Sequence, residues 1–287
     1  MRILLSLLFL FIATVNFAQE AQVYSIFNSK GKEVEYSEMV NNLKNANVVF
    51  FGELHNNPIA HWFELRVAKS LFDATKNNLI IGMEMFEADN QLILDEYLNG
   101  IIAEKNFEQE CKLWPNYQTD YKPMLEFAKA NNIKLVATNV PRRYAALVNK
   151  KDFEGLDLLS IEAKKFIAPL PIDYDSSLEC YSYMIENMKM MGHTAINIAK
   201  AQALKDATMA YFIYKNIEKG KIFYHINGSY HSDNHQSILW YLKKKDKNLK
   251  IQTISVVSQK DISQLEEENK NLADFIIVVC DDMITTY

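Results

Sequence analysis

Short apolar segments recur along the chain and predict the strands of a parallel sheet. Each is rich in β-branched or aromatic residues and is apolar at odd and even positions alike, which is typical of strands covered by helices on both faces. The four clearest segments are 46–53, 78–87, 133–140 and 221–228. Two later segments, 251–258 and 274–280, are interpreted as further strands and as candidate antiparallel edges.

Segments with the helical period fill the intervals between these strands. They lie at 58–75, 89–98, 120–131, 142–150 and 194–218. The first has a clear start, because Asn57 can accept bonds from the free N–H groups and Pro58 suits the first turn. Strands that alternate with helices predict an α/β fold in which a mostly parallel sheet is flanked by helices.

The stretch 152–193 interrupts this alternation and has no strand pattern. It carries PLPIDYD and then an amphipathic run rich in methionine. We interpret it as a helical insertion, a lid, between the third and fourth core strands, which are 133–140 and 221–228.

The insertion also concentrates side chains that suit a large, flat, apolar ligand. Met184, Met188 and Met191 share one helical face, a pattern that favours simple packing but also offers a soft surface. Haem iron accepts Tyr, His or Met as a ligand. The candidate haem contacts in this stretch are Tyr181, Tyr183 and His193.

The first residues of the chain predict export. An apolar run from Ile3 to Val15 follows Arg2, and Ala18 precedes polar residues, which is the pattern of a signal peptide over residues 1–18. The run is shorter than the roughly 20 residues of a membrane-spanning helix. Residues 19–287 are then expected to form one α/β domain, periplasmic or secreted, and no lipid-attachment Cys stands at the cleavage point.

Composition narrows the choice of partners. The formal net charge is -5 and the basic residues are scattered, so no stripe for nucleic acid is present and no nucleic-acid partner is expected. The three cysteines, Cys111, Cys180 and Cys280, match no zinc motif and can form one disulfide at most. A small ligand or a protein partner is favoured.

Five of the six histidines fall in two short segments that follow strands. GELH (52–55) and GSYH (228–231) share the form GxxH, in which glycine lets the backbone turn sharply. Because the carboxyl ends of parallel strands meet at one edge, we expect His55 and His231 to face one crevice. Simpler roles suit the other three: capping or surface residues for His61 and His235, and a hydrogen-bonded core residue for His225.

Further polar side chains belong to the same predicted edge. Glu84 interrupts the apolar strand LIIGMEMF, and a buried carboxylate must be paired, metal-bound, protonated or placed at an exposed strand end. Asn139 and Arg142 add an amide and a guanidinium, and the guanidinium suits an anionic group such as a propionate. Glu53 is compatible with a catalytic role and equally with stabilisation of the adjacent turn.

Five segments of the chain resemble, in this order, the ChaN-like haem-binding uptake family, a branch of the Tiki and erythromycin-esterase superfamily. They are GELHNNPIAHWFEL, IGMEMFEADNQLILDEYLNG, DYKPMLEFAKANNIKLVATNVPRR, AQALKDATMA and INGSYHSD, and together they cover roughly residues 45–240. The resemblance implies an α/β domain with a helical insertion, exported or membrane-attached, that binds haem in iron acquisition. Family members that are lipoproteins carry an attachment Cys, and this chain departs from them there.

The same resemblance implies how haem is held. In the family, a cofacial haem pair lies between two subunits, with a Tyr ligand from one subunit and a His from the other. The ligand Tyr matches no motif here, so the candidates are Tyr181, Tyr183, Tyr174 and Tyr144. A homodimer is therefore expected, and outer-membrane haem-uptake machinery is an expected partner.

The wider superfamily implies a second function. Its hydrolases use two GxxH histidines and a strand-end Glu, which match His55, His231 and Glu84. The alternative to an exported haem-binding protein is thus a metal-dependent hydrolase of esters or peptides. In it, His55, His231 and Glu84 hold a divalent metal, and Glu53 and Glu84 are the catalytic carboxylates.

Overall fold

Seven strands form one sheet in the computed structural model, which describes residues 22–287. The strands are β1 (Tyr24–Asn28), β2 (Val48–Glu53), β3 (Leu79–Glu87), β4 (Lys134–Asn139), β5 (Ile222–Gly228), β6 (Ile251–Gln259) and β7 (Phe275–Cys280). Their order in the sheet is β1-β7-β6-β2-β5-β3-β4. The predicted signal peptide over 1–18 lies outside the described residues.

Ten α-helices accompany the sheet in residues 22–287. They are α1 (Tyr36–Leu43), α2 (Pro58–Ala74), α3 (Gln91–Leu98), α4 (Glu104–Glu110), α5 (Lys122–Ala130), α6 (Arg142–Lys151), α7 (Ile161–Lys164), α8 (Glu179–Asn187), α9 (His193–Asn216) and α10 (Ile238–Lys245). Within this part of the chain, no helix combines the length and apolar character needed to cross a membrane.

The predicted α/β fold with a mostly parallel sheet is confirmed. Strands β2 to β7 pair in parallel, and β1 alone among the described strands runs antiparallel, along β7. The interpretation of the two last strands as antiparallel edges was wrong, since β6 pairs in parallel with both β2 and β7. The antiparallel edge is β1, whose five residues YSIFN carry too short an apolar pattern to indicate a strand.

The sheet is buried on both faces, as its strands predicted. Phe51 belongs to a large core cluster with α2, whereas the preceding Phe50 packs in a second cluster with α9 and α10. Both side chains are fully buried. Because side chains alternate between the faces of a strand, only a segment that is apolar at every position can serve both clusters.

The parallel register brings three strand ends together. Glu53, the last residue of β2, lies opposite Gly228, the last residue of β5, and β5 also pairs with β3. The predicted insertion between the third and fourth core strands, here β4 and β5, contains α7 and α8 and no strand. Met184 on α8 and Trp114, in the segment between α4 and α5, line the cavity at these strand ends. This arrangement fits a lid.

Candidate functional site

A cavity of about 520 Å³ opens at the carboxyl ends of β2, β3 and β5. This volume falls within the roughly 300–1,000 Å³ of small-molecule sites. Most of the residues that the sequence singled out line it, namely Glu53, His55, Glu84, Asn139, Arg142 and His231. The prediction that the two GxxH segments face one crevice is confirmed.

The glycines of the two GxxH segments make room for each other. A Cβ atom on Gly52 would stand 2.8 Å from Cα of Ser229, in the other segment. A Cβ atom on Gly228 would stand 2.7 Å from the imidazole of His55, again in the other segment. Gly52 is thus required for the close approach of two main-chain segments, whereas Gly228 leaves room for the ring of His55, and neither glycine has a positive φ. The repeated motif is one interlocked structure.

Glu84 is buried and paired, one of the four options that its sequence position left open. Its Oε1 lies 3.3 Å from Nε2 of His231, and its Oε2 accepts a hydrogen bond of 2.8 Å from the N–H of Gly228. On the other side of the imidazole, Nδ1 of His231 bonds Oδ1 of Asp206 at 2.5 Å. Tyr181 donates to the second oxygen of Asp206 at 2.7 Å. The result is a buried chain of four groups that ends at the cavity.

The charges of His231, Glu84 and Asp206 determine the protonation of these buried groups. Burial alone lowers the pKa of His231, but Glu84 and Asp206 outweigh burial and raise it to about 10. Burial raises the pKa of Glu84, but the charge and hydrogen bond of His231 prevail and hold it well below its usual range. His231 is therefore an imidazolium at neutral pH, with both ring nitrogens engaged. This state favours a proton donor, and the role of His231 as a metal ligand stays a prediction.

The imidazole of His55 is oriented by a further carboxylate, that of Glu53. Its Nδ1 lies 2.6 Å from Oε1 of Glu53, which also accepts a 2.7 Å hydrogen bond from the hydroxyl of Tyr121. The ring packs edge-on against Trp114 and remains partly exposed to the cavity. Burial lowers the pKa of His55, but the bond to Glu53 and the charge of Glu84 outweigh it and raise the pKa above its ordinary value.

Beneath Glu53 lies a group of polar residues that the sequence did not indicate. His61 and Glu64, one helical turn apart on α2, are buried together with Glu53. Nδ1 of His61 lies 3.2 Å from Oε1 of Glu64 and 3.5 Å from Oε2 of Glu53. The interpretation of His61 as a capping or surface residue was wrong, since Asn57 caps α2 and His61 points inward.

The cavity rim is polar and cationic. Arg142 and Lys205 line it, and neither has an acidic partner within 4.0 Å in the described part of the chain. Asn139 is buried, and its Oδ1 accepts no hydrogen bond from the described residues. These three side chains offer two positive charges and one acceptor to a ligand.

The predicted haem contacts of the insertion lie in different surroundings. Tyr183 on α8 is 64% exposed, whereas Tyr181 is fully buried and engaged with Asp206. His193 is the first residue of α9. Of the other tyrosine candidates, Tyr144 is buried and Tyr174 packs against Tyr181 with ring centroids 5.4 Å apart. Tyr183 is therefore the candidate whose phenol is open to a ligand.

The remaining histidines and cysteines have structural surroundings. His225 is a core residue as predicted, bonded to Thr138 and Asn227, and burial lowers its pKa to about 4. His235 is partly exposed. Cys111, Cys180 and Cys280 are all free thiols.

The fold and this site define a class: α/β proteins whose parallel sheet carries paired histidine and carboxylate groups at its carboxyl edge. Within that class the chain belongs to the family described as haem-binding uptake, Tiki superfamily, ChaN, whose model matches residues 39–242. The family resemblance seen in the sequence is thereby confirmed.

Two known proteins illustrate the relationship. A structure described as cofacial haem binding to ChaN of Campylobacter jejuni has a TM-score of 0.65 at 14% identity, over 90% of this chain and 98% of that chain. This likeness shows the shared fold. Protein RETICULATA-RELATED 5, chloroplastic, of Arabidopsis thaliana is 24% identical over 191 residues, 62% of this chain, which spans 26% of the plant protein.

Proposed function

We propose that this protein is an exported haem-binding protein that acts in haem or iron uptake. Membership of the haem-binding uptake family supports this proposal. The observation that carries it within this chain is the pair of free cations, Arg142 and Lys205, at the rim of the cavity. A guanidinium and an ammonium without acidic partners suit the two carboxylates of haem propionates.

The residues around the cavity also fit the rest of a haem. Haem presents a flat apolar face, and Trp114 and Met184 supply apolar wall to the cavity. In the same insertion, Tyr183 is 64% and Met190 95% exposed. Tyr183 directly precedes the cavity-lining Met184 on α8, so its main chain lies close to the cavity.

These features divide the work of binding between two sets of residues. Arg142 and Lys205 would hold the propionates, and Tyr183 would offer a phenol oxygen to the iron. Bound haem supplies an iron centre that accepts Tyr, His or Met ligands. The exposed Tyr183 and Met190 also suit a second copy of the chain, and we propose a homodimer that encloses haem at this surface.

Hemin titration tests this proposal. The wild-type protein is expected to show a saturable Soret shift, and Tyr183→Phe to weaken hemin binding about tenfold. The matched control is Tyr214→Phe, an exposed tyrosine on α9, which is expected to bind as the wild type does. Replacing Arg142 or Lys205 by Gln should weaken binding about fivefold each, because each removes roughly 1 kcal/mol of charge-assisted bonding.

The result that contradicts haem binding is the absence of any saturable shift in the wild type. Sedimentation with and without hemin tests the homodimer, since the apparent mass should double in the haem-bound sample. A haem-bound protein that remains monomeric would overturn the dimer and leave haem binding standing.

A hydrolase is the second candidate, and the arrangement of His55 and His231 supports it. His55 faces the cavity with its Nδ1 on Glu53, which suits a general base. His231, an imidazolium paired with Glu84 and Asp206, suits a proton donor or a stabiliser of negative charge. Together they can activate a water and protonate a leaving group across one cavity.

Turnover of a panel of esters and peptides tests the second candidate. His55→Ala and Glu84→Gln are each expected to lower the rate by at least about 100-fold, the usual share of a general base or its equivalent. His235→Ala is the control, because His235 lies away from the cavity. Turnover that persists in both variants would contradict a hydrolase site at His55 and Glu84. A parallel assay of the wild type with a chelator shows whether its turnover depends on metal.

A further inference from the structure

Glu53, His61 and Glu64 form a buried group next to the cavity, and each directs an atom with a lone pair toward the other two. Glu53 comes from the end of β2, and His61 and Glu64 come from one face of α2. One ligand atom from each lies within 4.8 Å of the others, and this is the one such set of three in residues 22–287. Oε2 of Glu53, Nδ1 of His61 and both oxygens of Glu64 accept or donate no hydrogen bond there.

The orientation of His61 determines which nitrogen is free. Its Nε2 lies 3.1 Å from the carbonyl oxygen of His55, which can only accept, so Nε2 carries the proton. Asp120 stands 3.3 Å from the same nitrogen. Nδ1 of a neutral His61 then directs a lone pair between two carboxylates. A ring held by a carbonyl and a carboxylate on one nitrogen is the usual environment of a metal-bound histidine.

We propose that Glu53, His61 and Glu64 bind a divalent first-row cation, with zinc as the first choice and manganese as the second. Ligands of a tetrahedral zinc at about 2.0–2.2 Å are separated by about 3.3–3.6 Å. The two separations in the structure, 3.2 Å from Nδ1 of His61 to Oε1 of Glu64 and 3.5 Å from the same nitrogen to Oε2 of Glu53, lie close to that spacing. One imidazole with two carboxylates is a donor set that both ions accept.

The charge of the group also calls for a cation. Glu64 is 1% and Glu53 2% exposed, and two buried carboxylates that share one neutral imidazole are not compensated. A shared proton is the competing way to neutralise the pair, and it makes the opposite prediction in a metal titration.

The surroundings of the group support an ion and connect it to the cavity. Tyr121 donates to Oε1 of Glu53, and Asn116 bonds both Asp120 and the carbonyl oxygen of His55. Glu53 thus directs Oε2 toward the proposed ion and Oε1 toward Nδ1 of His55. The ion would fix Glu53, and Glu53 would fix the ring of His55. The site is a positioning site, distinct from the set His55, His231 and Glu84.

Metal titration of the haem-free, chelator-treated protein tests the proposal, which does not rest on haem binding. Calorimetry with Zn²⁺ and with Mn²⁺ is expected to give one equivalent for one ion or both, with a higher midpoint of thermal unfolding. Glu64→Gln and His61→Ala should each weaken binding by at least about tenfold. Two controls should bind as the wild type does: Asp73→Asn, an exposed acid on the same helix, and Glu84→Gln, in the set His55, His231 and Glu84.

Three results would overturn the site. The first is a wild-type protein that binds neither ion stoichiometrically, as a shared proton predicts. The second is Glu64→Gln protein that binds as tightly as the wild type. The third is binding that Glu84→Gln abolishes, which would place the ion among His55, His231 and Glu84. Glu64→Gln preserves side-chain shape, and if it fails to fold, the wild-type and Glu84→Gln titrations together still distinguish this site from the set His55, His231 and Glu84.

Discussion

His231→Ala is expected to lower the free energy of unfolding by about 3–5 kcal/mol, the usual cost of removing one partner from a buried ion pair. The imidazolium lies between Glu84 and Asp206, both buried. Its removal leaves two buried carboxylates without their counter-charge. Chemical denaturation at neutral pH measures the effect. The control is His235→Ala, a partly exposed histidine, which should cost less than about 1 kcal/mol.

The pH dependence of unfolding gives this prediction a second readout. The pKa of His231 is raised in the folded state to about 10, above the ordinary value of 6.5. A raised pKa means that the stabilisation is fully present below pH 6.5 and is lost as the pH rises toward 10. Wild-type stability should therefore fall between pH 7 and pH 10, and His231→Ala should lack that fall. Equal pH profiles in the two proteins, with a cost under about 1 kcal/mol, would contradict the buried ion pair.

Gly52→Ala is expected to cost about 2–3 kcal/mol, the upper part of the usual range for overpacking. The added methyl group would stand 2.8 Å from Cα of Ser229 and 3.2 Å from the carbonyl oxygen of Ile254. Both neighbours are main-chain atoms of adjoining segments, so no side-chain rotation relieves the contact. Chemical denaturation measures the loss.

Gly228→Ala is the informative companion to that variant. Its methyl group would meet the imidazole of His55, which can swing away, so we expect a cost below that of Gly52→Ala. The displaced ring would leave Glu53, and the histidine titration followed by NMR should shift toward lower pH because the Glu53 bond raises the pKa of His55. If Gly228→Ala proves the more destabilising of the two, the interlocked packing described for these segments is wrong.

The fold could be predicted because its strands have an unambiguous pattern. Phe50 and Phe51 face opposite core clusters, and a run apolar at every position has few other uses. Glu84 was also readable, since a carboxylate within such a run requires a partner. Strand β1 was missed because five residues with polar ends carry too little pattern.

The partners within the site could not be predicted, and the reason is the same for each. Asp206 follows Lys205 on α9, and Glu64 lies on α2. Charged residues on a helix are usually exposed to solvent, so nothing in the sequence indicated that either carboxylate is buried. They are buried because distant segments cover them: α8 with Tyr181 over Asp206, and residues 116–121 over α2. Burial of that kind depends on tertiary packing, which residue type does not reveal. For the same reason, the sequence could not show that the side chain of Tyr181 is buried against Asp206.

The interlocked glycines have a consequence for recombination among relatives of this protein. Gly52 serves the segment that ends at His231, and Gly228 serves the segment that ends at His55. A chimera that takes β2 from one parent and β5 from another keeps both close contacts only if both parents carry glycine at both positions. Crossover points before residue 48 or after residue 232 keep both segments from one parent. A crossover between these positions combines one segment from each parent.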